Sequence, residues 1–176
     1  MNRKIFCLII LITGLIFISC HSDKLSNNDY ESLKNSQICF PKDMEKCSSG
    51  DAEISGKPYR LLVFRDSLVC TPCYVKSLNE WEEFMACIKP NRLDLVFVLS
   101  PKRDEYISVK AVLRHRMYNW SVYIDKSNEF WKSNPQIPED EIFHCMLLDR
   151  QNKVVIIGNP MKNEKISKMI IQEVNK

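Results

Sequence analysis

Two cysteines separated by two residues, Cys70 and Cys73 within SLVCTPCYVKSL, are the side chains of this chain best suited to chemistry. A pair at this spacing serves as a redox couple, as half of a metal site or as a static disulfide. The elements on either side decide among them. Tyr59 to Phe64 (YRLLVF), after Gly56-Lys57-Pro58, is a short apolar, β-rich run and predicts a buried strand. From Cys73 onward, Val75, Leu78, Trp81, Met85 and Ile88 recur at helical spacing until Pro90 ends the pattern. The pair therefore stands at a strand-to-helix junction. Unpaired amide hydrogens and the positive end of the helix dipole stabilise a thiolate there. Cys-x-x-Cys thiols so placed can titrate well below the free value of about 8.5. Pro72 suits the first helical turn, where its missing N–H costs nothing.

The compartment matters to such thiols. Met1 to Ser19 carries Arg3 and Lys4 ahead of an apolar run from Ile5 to Ile18, the order of a secretory signal. The run is shorter than the roughly 20 apolar residues a membrane helix needs. Phe17-Ile18-Ser19-Cys20 resembles the lipobox of bacterial lipoproteins. That resemblance implies an acylated Cys20 as first mature residue and a protein held on a membrane of the bacterial envelope, facing the periplasm or the exterior. Disulfides persist outside the cytoplasm. Removing Arg3 and Lys4 lowers the net charge from +3 to +1, which gives no electrostatic case for nucleic acid.

The chain divides into a signal (1–19), a polar tether (20–37) and one domain (38–176), since the length leaves room for a single core. Leu93 to Leu99 (LDLVFVL) predicts a second strand covered on both faces. Arg103 to Tyr118 predicts a helix with Ile107, Val109, Val112, Leu113 and Met117 inward, and Trp120 to Ile124 a third strand. Glu129 to Ser133 reads as a short helical turn. Ile142 to Leu148 and Val154 to Ile157 predict a hairpin over a five-residue loop, and Ile166, Ile170 and Val174 stripe a last helix. This order implies an α/β fold, a mixed central sheet with helices on both faces.

Strand, Cys-x-x-Cys, helix, then hairpin and terminal helix resemble the thioredoxin fold over roughly residues 56 to 175. With the lipoprotein signal, the chain looks like the membrane-anchored TlpA/ResA-type thiol-disulfide oxidoreductases. The resemblance implies that Cys70 attacks a partner's disulfide and Cys73 resolves the mixed disulfide. It implies no cofactor, protein thiols or disulfides as substrates, and a redox partner. The chain departs from that family at three positions. Val69 replaces the tryptophan before the first cysteine, Phe64 replaces the buried acid six residues before it, and Phe143, followed by His144, stands where a cis-proline faces the pair.

Two other readings stay open. Cys70, Cys73 and His144 are ligand types for copper or zinc, an arrangement loosely resembling Sco-type copper assembly proteins. A non-catalytic interaction module of the same fold is the other. Phe143 and His144 are expected to face a partner or to modulate the Cys70 pKa. Cys39 and Cys47 are close enough along the chain for a structural disulfide. Cys87 and Cys145 read as buried small hydrophobes, and Trp81, Trp120, Tyr123, Phe130 and Trp131 as core and groove lining.

Overall fold

The apolar runs become the middle of one mixed sheet. The computed structural model describes residues 22–47, 56–66, 70–115, 118 and 120–176. Along the chain come α1 (Ser22–Leu33), β1 (Glu45–Lys46), β2 (Tyr59–Arg65), α2 (Thr71–Lys76), a 3-10 turn (Leu78–Glu80) and α3 (Trp81–Ala86). Then follow β3 (Leu93–Leu99), α4 (Tyr106–His115), β4 (Ser121–Ile124), α5 (Glu129–Ser133), a second 3-10 turn (Glu141–Phe143), β5 (Cys145–Asp149), β6 (Val154–Ile157) and α6 (Glu164–Val174). The strand order is β1-β4-β3-β2-β5-β6. β2, β3 and β4 are parallel, and the two antiparallel strands of the hairpin add on beside β2. Residues 1–19, read as a signal, and Cys20 lie outside the described residues.

Alternation along each strand sends side chains to two cores. On one face Leu61, Val63, Leu95, Phe97 and Leu147 pack against Val75, Trp81, Val109, Leu113, Ile170 and Val174 of the helices. Right-handed crossovers that step in one direction along the sheet, β2 to β3 to β4, put their helices on this same side. On the other face Leu62, Phe64, Val96 and Val98 meet Leu33, Ile38, Phe130, Ile137 and Phe143. The predicted α/β arrangement with helices on both faces is what forms.

Four local readings change. The helix after Cys73 is broken: Ser77 donates both its N–H (3.0 Å) and its hydroxyl (2.9 Å) to the Tyr74 carbonyl, and this tight turn separates α2 from α3. Ile107 is 78 % exposed, because the inward stripe of α4 runs through Val109 and Leu113. β5 starts at Cys145 and not at Ile142, since the Asp140 carboxylate accepts the Ile142 N–H at 3.0 Å and starts the second 3-10 turn. The segment read as a tether contains α1, and its end is built into the domain. Leu33 is fully buried, Asn35 donates to the Val154 carbonyl at 3.2 Å, and Val154 donates to Ser36 at 2.9 Å.

Buried polar groups hold the second face together. Asn134, fully buried, accepts the Cys39 N–H at 2.7 Å and donates to the carbonyls of Cys39 (2.9 Å) and Phe130 (2.7 Å). Asp125 accepts the N–H groups of Glu129 (3.0 Å) and Phe130 (2.8 Å) and so starts α5. β1 was not legible in the sequence. It is held on β4 by Glu45, whose carboxylate meets Lys110 (2.6 Å), Lys126 (2.7 Å) and the Tyr106 hydroxyl. Those donors, Lys110 first, hold the Glu45 carboxyl down at about 2.

Candidate redox site

β2 delivers the chain to the C-terminal end of the parallel strands, and Cys70 is the N-cap of α2 there. Its backbone is extended (φ −61°, ψ 94°), and its carbonyl accepts the Tyr74 N–H at 3.1 Å. No side chain caps the helix, so the first-turn amides are left to the thiols and solvent. Pro72 fills the first turn as expected. Both thiols are exposed and reduced.

The pair is asymmetric. Hydrogen bonding and charge interaction with the neighbouring Cys70 sulfur raise the Cys73 pKa. Lys76 opposes the rise and Glu105 adds to it. The Glu105 Oε2 is buried with no hydrogen-bond partner. A thiol that holds its proton in this way is suited to the later, resolving step of an exchange.

Beside the pair, the Arg65 guanidinium lies 4.6 Å from the centre of the Tyr74 ring and 3.2 Å from the Glu141 carboxylate. Arg65 also enters a cavity of about 510 Å³ whose walls include Tyr30, Phe143, His144, Gly158 and Lys162. Gly158 has φ +129°, and a Cβ there would come within 3.2 Å of Ile166, so glycine keeps this wall open. Arg65, Tyr74 and Glu105 carried no sequence signal. Tyr74 follows Cys73 on α2, whereas Arg65 at the end of β2 and Glu105 in the loop before α4 reach this region through packing.

His144 and Cys145 point to opposite faces, as neighbours entering a strand must. His144 is 2 % exposed, with Nε2 3.1 Å from the Pro138 carbonyl and its ring edge-on to Phe64 (5.2 Å) and Trp131 (5.5 Å). Phe143 is buried in the same core. Among the described residues every peptide bond is trans. No group of three His, Cys, Asp or Glu side chains able to hold a metal gathers among them either, so Cys70, Cys73 and His144 do not converge. The reason is the face His144 takes, against Phe64 and Trp131, away from α2. Cys145 is buried on the α2 side, and burial pushes its thiol up to about 12, so it packs as an apolar group.

The bridge expected between Cys39 and Cys47 is not formed: both thiols are free. Cys47 packs against the helix-covered α2 side, where burial raises it to about 11, whereas Phe40, next to Cys39, packs against the opposite core. Cys87, expected inside, is exposed just after α3.

Burial, the largest cause, lowers the His144 pKa, with the Pro138 carbonyl opposing it. A histidine held neutral in the fold takes up protons more readily when unfolded. Its contribution to stability is complete above the unfolded value of about 6.5 and is lost as pH falls through the lower folded value. The urea midpoint is therefore expected to drop on acidification from pH 7, and His144→Phe to flatten that drop. An equal slope in both proteins would remove His144 as its cause.

No family profile matches the chain, and no curated protein matches it in sequence. Solved structures do match. A thiol-disulfide isomerase from Corynebacterium glutamicum superposes with a TM-score of 0.55 at 11% identity, over 83% of this chain and 98% of that one. A thioredoxin-like protein in its oxidized form gives 0.53 at 15% identity, over 81% and 98%. A thioredoxin-like protein from Bacteroides caccae gives 0.50 at 11% identity, over 86% and 52%. The fold is thioredoxin-like. At these identities the likeness speaks for architecture, and the chemistry rests on the residues above. No helix among the described residues is long and apolar enough to cross a membrane.

Proposed function

We propose that this protein exchanges thiols and disulfides with protein partners, with Cys70 as nucleophile and Cys73 as resolving thiol. The observation that carries the reading is the exposed, uncapped start of α2, where Cys70 and Cys73 stand one helical turn apart as free thiols. The Cys70 thiolate attacks one sulfur of a partner disulfide, forming a mixed disulfide and releasing the other sulfur as a thiolate. Cys73 then gives up its proton and attacks the Cys70 sulfur. The second partner thiolate leaves, and the chain holds a Cys70–Cys73 disulfide. Two electrons have passed to the partner, and a redox partner must return them; the same steps run backwards oxidise a dithiol. The cavity beside Arg65, at the end of β2 from which the chain runs on to Cys70, supports docking of a partner's segment there. The reading includes a lipid anchor on Cys20 and a site in the bacterial envelope, supported by the signal in residues 1–19.

The test is reduction of a small disulfide-bonded protein by the dithiol form in single turnover. Wild type is expected to oxidise Cys70 and Cys73 stoichiometrically, whereas Cys70→Ser shows no exchange above that of free thiols. Equal rates for wild type and Cys70→Ser would end the proposal.

A further inference from the structure

At the other end of the sheet lies a buried, incompletely paired arginine. Arg60, on β2, extends to the same side as Leu62 and Phe64 and is 7 % exposed. Its guanidinium lies 5.2 Å from the centre of the Phe40 ring, and Nη1 donates to the Asn152 side-chain oxygen. Nε is buried with no acceptor. Burial lowers the Arg60 pKa, and the charge of Asp94, its register partner on β3, opposes that; Asp94 is shared with Lys57 at 3.0 Å. The guanidinium forms one wall of a cavity of about 650 Å³, completed by Gln37, Ile38, Cys39, Phe40, Arg150 and Asn152. Arg150 brings a second guanidinium, whose Nη2 donates to the Gly56 carbonyl at 3.3 Å.

A buried charge is costly unless an opposite charge and hydrogen bonds satisfy it. The planar guanidinium fork matches a carboxylate better than any other common anion except phosphate. Two arginines alone would accept either. Ile38 and the Phe40 ring add an apolar wall, which hydrated phosphate does not use.

We propose that this cavity binds a small organic carboxylate, its oxygens on Arg60 and Arg150 and its apolar body against Ile38 and Phe40. Arg60 is at the start of β2 and the cysteines follow its end, so this site is separate from the redox site and independent of it.

Benzoate is the probe, with benzamide as the neutral molecule of the same shape and inorganic phosphate as the competing anion. Titrated into the full chain, benzoate is expected to saturate and to shift the Arg60 Nε–H resonance, while benzamide leaves it unmoved and phosphate competes weakly. Loss of a charge-assisted hydrogen bond makes Arg150→Ala about tenfold weaker. Arg60→Met abolishes binding, and Arg150→Ala exchanges thiols at the wild-type rate. Arg150, on the rim, keeps the test valid if Arg60→Met does not fold. Equal responses to benzoate and benzamide, preference for phosphate, or affinity indifferent to Arg150→Ala would each overturn the proposal.

Discussion

Replacing Cys73 by alanine is expected to turn exchange into a dead end, with partner proteins accumulating as mixed disulfides on Cys70. The second step is intramolecular in the native protein: Cys73 is one helical turn from Cys70. Without it, release depends on thiols from solution, and loss of that proximity slows the step on the order of a hundredfold or more. The substitution removes an exposed side chain at no cost to either core. Cys39 and Cys87 are exposed thiols too, which makes the site of trapping the decisive readout. Mass spectrometry of the adducts is expected to map them to Cys70, with none in the Cys70→Ala/Cys73→Ala double variant. Adducts spread equally over Cys39, Cys70 and Cys87 would mean that the helix start gives Cys70 no advantage.

The strand-helix junction was legible because period and punctuation agree around it. YRLLVF and LDLVFVL are apolar apart from Arg60 and Asp94, and both are strands whose two faces are covered. The same reasoning failed where one side chain bends the backbone. Ser77 closes on the Tyr74 carbonyl and splits a helix whose apolar stripe is continuous in sequence. Asp140 captures an amide and delays β5 by three residues relative to its apolar start. Neither capture has a periodic signature.

The segment before the domain was misread for a different reason. His21 to Gln37 is polar in composition, yet Leu33 and Ile38 fill the second core, and Asn35, with φ 66°, turns the chain so that both reach it. Composition averages over residues, whereas a docked helix needs only a few apolar contacts. The surroundings of the cysteines were the least legible part. Arg65 comes from the end of β2 and Glu105 from the loop before α4, and only packing brings them towards α2.

The largest effect on stability is expected at Phe64, where the resemblance asked for an acid. Phe64 is fully buried, with Phe130, Trp131 and His144 at ring-centroid distances of 5.1, 5.5 and 5.2 Å. Phe64→Ala loses the burial of an aromatic ring and leaves a cavity, a cost of about 3–5 kcal/mol. That is a large share of the roughly 5–15 kcal/mol by which a domain is stable. Calorimetry or urea unfolding measures it directly. Because Phe64 points to the α5 side and Val63 to the α2 side, thiol exchange per folded Phe64→Ala molecule is expected to stay within about twofold of wild type. Phe64→Asp is expected to be worse, since it sets a carboxylate among aromatic rings with a neutral, already hydrogen-bonded His144 as its nearest polar neighbour. It would not restore the family's acid, because that side chain leaves the sheet on the face away from Cys73. A Phe64→Asp protein that folds with wild-type stability and speeds resolution by Cys73 would show that this face communicates with the thiols, contrary to the packing.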